Sequence, residues 1–175
     1  MNRIACRLAA ICLGPALMVS QSAAHGGHAE AGGFAAGLLH PFLGLDHLLA
    51  ALAVGAFAAR RQDREALTIA AAFVVALGGG FALAGTALGV ILLEPIVLAS
   101  IFIIGAMAIA AKRLALFPML GALAFFGAFH GYAHGVVGHD ASGFLLGVMI
   151  STTALIIFSA YAIRLSLHRG LSRRS

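Results

Sequence analysis

The chain has 175 residues, 62% of them hydrophobic and only 10% charged, and its mean hydropathy is +1.04. A water-soluble domain carries roughly a quarter of its residues charged, so a soluble enzyme or binding module is excluded and the main solvent is lipid. The formal charge of +5 does not point to nucleic acid, because Lys and Arg fall in short clusters between long apolar runs, with no basic stripe of interleaved aromatics.

The chain opens MNRIACRLAAICLGPALMVSQSAA. Arg3 and Arg7 make a basic start, an apolar run follows from Leu8 to Val19, and Ser22, Ala23 and Ala24 supply the small residues of a cleavage site. The run is short against the roughly 20 apolar residues of a span, so residues 1–24 read as a signal peptide. Cleavage would remove Cys6 and Cys12, the only cysteines, and with them any disulfide or thiolate metal site. The mature chain would begin HGGHAE, a tail over 25–33 bearing His25, His28 and Glu30.

Five apolar runs follow, at 34–59, 66–86, 90–111, 114–135 and 143–164. Each is long enough to cross a hydrocarbon core of about 30 Å at about 1.5 Å per residue. They are continuously apolar rather than alternating, which argues against a barrel. The expected fold is all-α, a polytopic transmembrane bundle over 34–164 with a basic tail over 165–175. The stretch 66–93 holds Gly78, Gly79, Gly80, Gly85 and Gly89 and leaves a break or extra helix open. Basic and non-basic connections alternate: Arg60, Arg61 and Arg64; none in 86–89; Lys112 and Arg113; none in 136–142; then Arg164, Arg169, Arg173 and Arg174. By the positive-inside rule the mature N-terminus is periplasmic and the C-terminus cytoplasmic, in a bacterial inner membrane. An exported N-terminus agrees with this independently.

Charged residues within a span cost about 2.5–3.5 kcal/mol each on insertion scales and usually face a bundle interior. The first run contains HPFLGLDH, with His40, Asp46 and His47. On an ideal helix His40 and His47 share a face but stand about 10 Å apart, so they can meet one ion only if the helix bends. Pro41, which leaves the Gly37 carbonyl without its helical donor, and Gly44 suit such a bend. The fourth run ends FHGYAHG, where His130 and His134 lie four apart on one face and can grip one metal ion. Glu94, at the outer start of the third run, either caps a helix or lines a path. His139 and Asp140 read as loop residues, and Ser151, Thr152 and Thr153 as hydroxyls bonding their own helix. The candidate ligands all fall in the outer half or middle of the membrane.

These motifs, HPFLGLDH at 40–47 and FHGYAHG at 129–135 after a signal-like start, make the chain resemble the HupE/UreJ family of nickel and cobalt permeases. The resemblance covers the whole mature chain. It implies secondary metal transport with His40, Asp46, His47, His130 and His134 in the metal path. This sequence departs from the family at two places. Val136 and Val137 stand where members often carry an acidic residue, and Leu155 and Ile156 stand about where many carry a histidine.

The imidazole and carboxylate set suits nickel, cobalt or zinc better than copper(I), magnesium or calcium. Nickel or cobalt is singled out only by the resemblance. The expected function is import of a divalent transition metal as cargo, with no prosthetic group and no enzymatic activity. No GxxxxGK[ST] motif is present to bind nucleotide. The expected partners are the ion and the bilayer, and self-association is left open. Two other readings use the same residues: a haem-binding electron carrier with histidines as axial ligands, and a metal-binding subunit that does not transport.

Overall fold

A computed structural model describes residues 33–84, 92–135 and 141–172, and every element in them is helical. In chain order these are α1 (Phe34–Leu43), α2 (Leu45–Ala58), α3 (Asp63–Leu83), α4 (Leu93–Ala110, closed by a 3-10 turn at Ala111–Arg113), α5 (Leu116–Gly135) and α6 (Ala141–Ser172). Helices α3 to α6 are each long and apolar enough to cross a membrane, and α1 and α2 together form a fifth candidate span, bent by 81°. The expected bundle is therefore observed. The signal-peptide reading of 1–24, the His25 and His28 tail up to residue 32, and His139 with Asp140 lie outside the described residues.

One open point and one boundary of the sequence reading can be compared with the structure; Gly85 and Gly89 lie outside the described residues. The run 66–86 holds one continuous helix through Gly78, Gly79 and Gly80; apolar helices tolerate glycine where neighbouring backbones approach closely. At the other end, α6 does not stop at Arg164 but continues to Ser172, carrying the basic segment as helix.

Glycine explains the packing of α3 on α5. A Cβ on Gly127 would strike the Phe73 carbonyl, one on Gly131 the Leu77 carbonyl, and one on Gly135 the Phe81 carbonyl. Both series advance by four in the same direction, so α3 and α5 run parallel along a shared seam. Helix α6 follows the span of α1 and α2 in the same direction: Gly147 lies against Phe34 and Gly37 against Phe144, and further along Gly55 lies against Ile156 and Ser159. The Ser159 hydroxyl donates to the Leu52 carbonyl at 2.8 Å. The core between the helices is apolar, with Val54, Phe57, Ile69, Phe73, Ile104, Leu123 and Ile156 almost fully buried.

The basic segments meet at one end of the bundle. Arg61, after α2, donates to the Leu114 carbonyl between α4 and α5 at 2.5 Å. Arg164 of α6 donates to the Arg61 carbonyl at 2.9 Å and pairs with Asp63 at 2.5 Å. Three chain-distant basic clusters thus share one face, as the alternation of charged connections requires.

The seam gives an internal comparison. Gly131→Ala is expected to destabilise the bundle by about 1–3 kcal/mol, because the added methyl overpacks against backbone that has little room to move. Gly79→Ala, which meets nothing within 4 Å, should be neutral within about 0.5 kcal/mol. Denaturant unfolding in detergent micelles measures both.

Candidate metal site

The first span breaks at Gly44. The Gly44 N–H still donates to the His40 carbonyl at 3.1 Å, closing α1, but its ψ of 108° takes the chain out of the helix before α2 starts at Leu45. Pro41 lies inside the last turn of α1 and is buried. Its missing N–H leaves the Gly37 carbonyl without a helical donor, and the Ser151 hydroxyl of α6 lies 3.5 Å from that oxygen. Ser151 also donates to the Gly147 carbonyl of its own helix at 2.9 Å, and Thr153 to the Met149 carbonyl at 2.7 Å. The back-bonding read from the sequence for these two hydroxyls is therefore present, and Ser151 reaches across to α1 as well.

The break changes what the histidines can do. The His40 and His47 ring centroids are 5.5 Å apart, about half the separation along a straight helix. His134 of α5 completes the group, with its centroid 4.4 Å from His40 and 4.3 Å from His47. One ring nitrogen from each of His40, His47 and His134 lies within 4.8 Å of the other two. His47 and His134 are buried and His40 half-buried. Phe144 of α6 lies against both His40 and His134, 5.4 and 6.0 Å away between centroids.

Asp46 lies beside this trio and faces His47. Its Oδ1 accepts the His47 backbone N–H at 2.9 Å and pairs with the His47 Nδ1 at 2.8 Å. The first contact satisfies one of the N–H groups that a helix start leaves without a partner, and in lipid such groups need one. The second fixes the ring. A carboxylate can only accept, so Nδ1 carries the hydrogen and the lone pair falls on Nε2. That Nε2 is buried without a hydrogen-bond partner among the described residues.

His130, one turn before His134 on the same helix face, stacks edge-on against His47 at 4.7 Å between centroids. Its Nε2 lies 2.9 Å from the Ser100 Oγ of α4. Glu94 is exposed in the first turn of α4 and is not one of the grouped ligands. There its charge meets the positive end of a helix, a favourable placement on its own account.

A family model for the HupE / UreJ protein matches residues 13–174 of this chain. The chain belongs to the HupE/UreJ family. It is 29% identical over 158 residues to Protein HupE of Rhizobium leguminosarum bv. viciae, covering 88% of this chain and 79% of that protein. No solved structure matches. The two motifs that carried the resemblance are the segments that converge in this HupE/UreJ chain, HPFLGLDH supplying His40 and His47 and FHGYAHG supplying His134. Where many family members carry a histidine in the last span, Leu155 and Ile156 are buried apolar core.

Sequence reasoning missed Ser100 and Phe144. Ser100 is fully buried and is the only hydroxyl in the run 96–110, a signal that could have marked it. Phe144 gives none, being one of 12 phenylalanines.

The elbow can be tested directly. A Cβ on Gly44 would sit 3.1 Å from both the Asp46 Oδ1 and the His47 Nδ1, the two atoms of the bond that orients His47. Gly44→Ala is therefore expected to weaken Ni2+ binding, read by isothermal titration, by about tenfold, the effect typical of disturbing the outer partner of a ligating imidazole. Its unfolding midpoint should stay close to wild type.

Proposed function

We propose that this chain is a membrane permease that imports a divalent transition metal, nickel or cobalt in preference to zinc, through the His40, His47 and His134 site. The observation that carries the reading is the convergence of one nitrogen from each of three histidines on three helices of an apolar bundle. Isolated polar side chains are costly in lipid, and such groups usually serve an ion or proton path. Ligand nitrogens about 2.1 Å from one ion in tetrahedral array lie roughly 3.4 Å from each other. The nitrogens of the trio lie within 4.8 Å of one another, so rotamer-scale shifts would close them on an ion. Three imidazoles leave room for a departing water, and among the described residues no fourth ligand joins the trio, which suits cargo that must leave again.

In this reading Asp46 acts through His47. Its carboxylate holds the ring with Nε2 toward the trio, the carboxylate–histidine–metal arrangement that fixes orientation and raises ligand basicity. His130 is the next polar group toward the basic end, and Glu94 stands outside the trio. The basic end is cytoplasmic by the positive-inside rule, which puts His134, about 27 Å along α5 from Leu116 at about 1.5 Å per residue, near the periplasmic side. An inward-directed potential of about 100 mV supplies about 4.6 kcal/mol to a dication, enough for a gradient of about a thousandfold. The ring packing also favours a small ion over haem. The three imidazoles contact one another directly, and a macrocycle would have to part them.

Uptake of labelled Ni2+ or Co2+ into proteoliposomes tests the reading. His47→Ala should cut flux to a small fraction of wild type, about a hundredfold loss, and uptake left at the wild-type level by that change would sink the assignment. Flux should also fall as the outer pH drops from about 7.5 to about 5.5. Neutral imidazole binds metal and imidazolium does not, so protons compete with the ion and acid lowers flux. Asp46→Ala should raise the Ni2+ Kd by about ten- to hundredfold with the protein still folded.

A further inference from the structure

The way onward from the trio toward the basic end passes His130. His47 is the shared neighbour, with ring centroids 4.3 Å from His134 and 4.7 Å from His130. Because α5 runs away from the basic end, His130 is one turn nearer that end than His134. Beyond it the bundle is closed by apolar side chains. Phe73 lies 5.6 Å from His130 between centroids, and Ile104, Leu123 and Phe126 are buried. His130, which stands outside the trio, is thus the histidine that borders the apolar core, and it is 1% exposed.

What holds it there is on a different helix. Ser100 of α4 is 0% exposed. Its Oγ donates to the Val97 carbonyl at 2.6 Å and lies 2.9 Å from the His130 Nε2. A hydroxyl has one hydrogen, and a carbonyl can only accept, so that hydrogen is committed to Val97. The Ser100 oxygen therefore accepts, and His130 donates from Nε2. The ring is pinned to α4 by the nitrogen that a helical histidine most readily extends toward a ligand. Neither contact is needed to satisfy the α4 backbone, since a serine bonding its own helix at i−3 is common in apolar helices with no partner opposite.

We propose that Ser100 is a positioning residue for the inward step of transport. It holds His130 back on α4 while an ion loads on His40, His47 and His134, and it yields the ring when the ion passes to His47 and His130. The inference rests on the permease reading but assigns a role to a residue outside both histidine motifs.

The test uses the full-length protein, with Ni2+ affinity measured by isothermal titration in detergent and initial Ni2+ flux measured in proteoliposomes. Ser100→Ala should leave the Kd within about twofold of wild type, because the loading trio is untouched. Its flux should fall by about tenfold, the usual scale for losing an outer partner of a functional imidazole. Ser100→Cys, which keeps the shape but is a weak acceptor, should behave alike. The double variant Ser100→Ala with His130→Ala should be no slower than His130→Ala alone. Wild-type flux in both Ser100 variants overturns the role of Ser100 while leaving the permease reading intact. So does a parallel loss of Kd and flux, or failure of both variants to yield folded protein, either of which makes Ser100 structural. No flux of Ni2+, Co2+ or Zn2+ in the wild-type protein overturns both.

Discussion

An unbroken helix from 34 to 58 would keep His40 and His47 about 10 Å apart, nearly two turns along one face. The 81° elbow at Gly44 removes that separation. It swings the end of α1 over the start of α2, so that two histidines seven residues apart in sequence point into the same space, 5.5 Å apart at their centroids. Several of the buried polar groups are arranged around that elbow. Pro41 frees the Gly37 carbonyl and Ser151 of α6 stands within 3.5 Å of it. Asp46 occupies the exposed helix start that the break creates, and its Oδ1 takes both the backbone N–H and the Nδ1 of His47. In lipid an interruption of this kind is tolerated only where protein groups satisfy the freed backbone, and here the carboxylate that repairs the backbone also orients the His47 ring.

The elbow would be useless without a second wall. That wall is α5, and its position is set by glycine rather than by any polar contact. Gly127, Gly131 and Gly135 let α5 lie directly on the backbone of α3. The histidines alternate with these glycines around the helix, so seating the seam on α3 turns His130 and His134 toward the elbow. At the far end, Arg61 and Arg164 tie together the loops that follow α2 and α4. These exposed or half-exposed pairs contribute little individually, about 0–1 kcal/mol each. Their value is positional: they keep the ends of three spans in register below an apolar core that has no polar route of its own among the described residues.

The sequence made much of this legible, for physical reasons that can be named. Lipid as solvent forces long apolar runs, so span number and approximate limits could be read from composition. Lys and Arg sort by membrane side, so the common end of residues 60–64, 112–113 and 164 followed from position alone. His40, His47, Asp46, His130 and His134 stood out because each is expensive where it lies. The need for a bend between His40 and His47 followed from helix geometry, and Pro41 and Gly44 were visible as its means. What could not be read was how the five polar residues divide their work. Asp46 and His47 are adjacent, and only the local chain path decides that the carboxylate turns to its neighbour's Nδ1. His130 and His134 look equivalent by spacing, yet one meets His40 and the other Ser100, a difference set by which helix lies opposite. Ser100 itself is a small residue in an apolar run, and its partner is 30 positions away. The continuity of α3 through three glycines was ambiguous for the same reason: a glycine run reads alike whether it ends a helix or receives a neighbour's backbone.

The proposed metal site requires three imidazoles from three helices to share one ion. X-ray absorption at the nickel edge, on protein loaded with one equivalent of Ni2+, reads this most directly, because imidazole rings give a distinctive outer-shell scattering. Three imidazole nitrogens in the first shell of the wild-type protein, falling to two in His134→Ala and likewise in His40→Ala, is the expected result. A first shell without imidazole, or one that His134→Ala leaves unchanged, would contradict it.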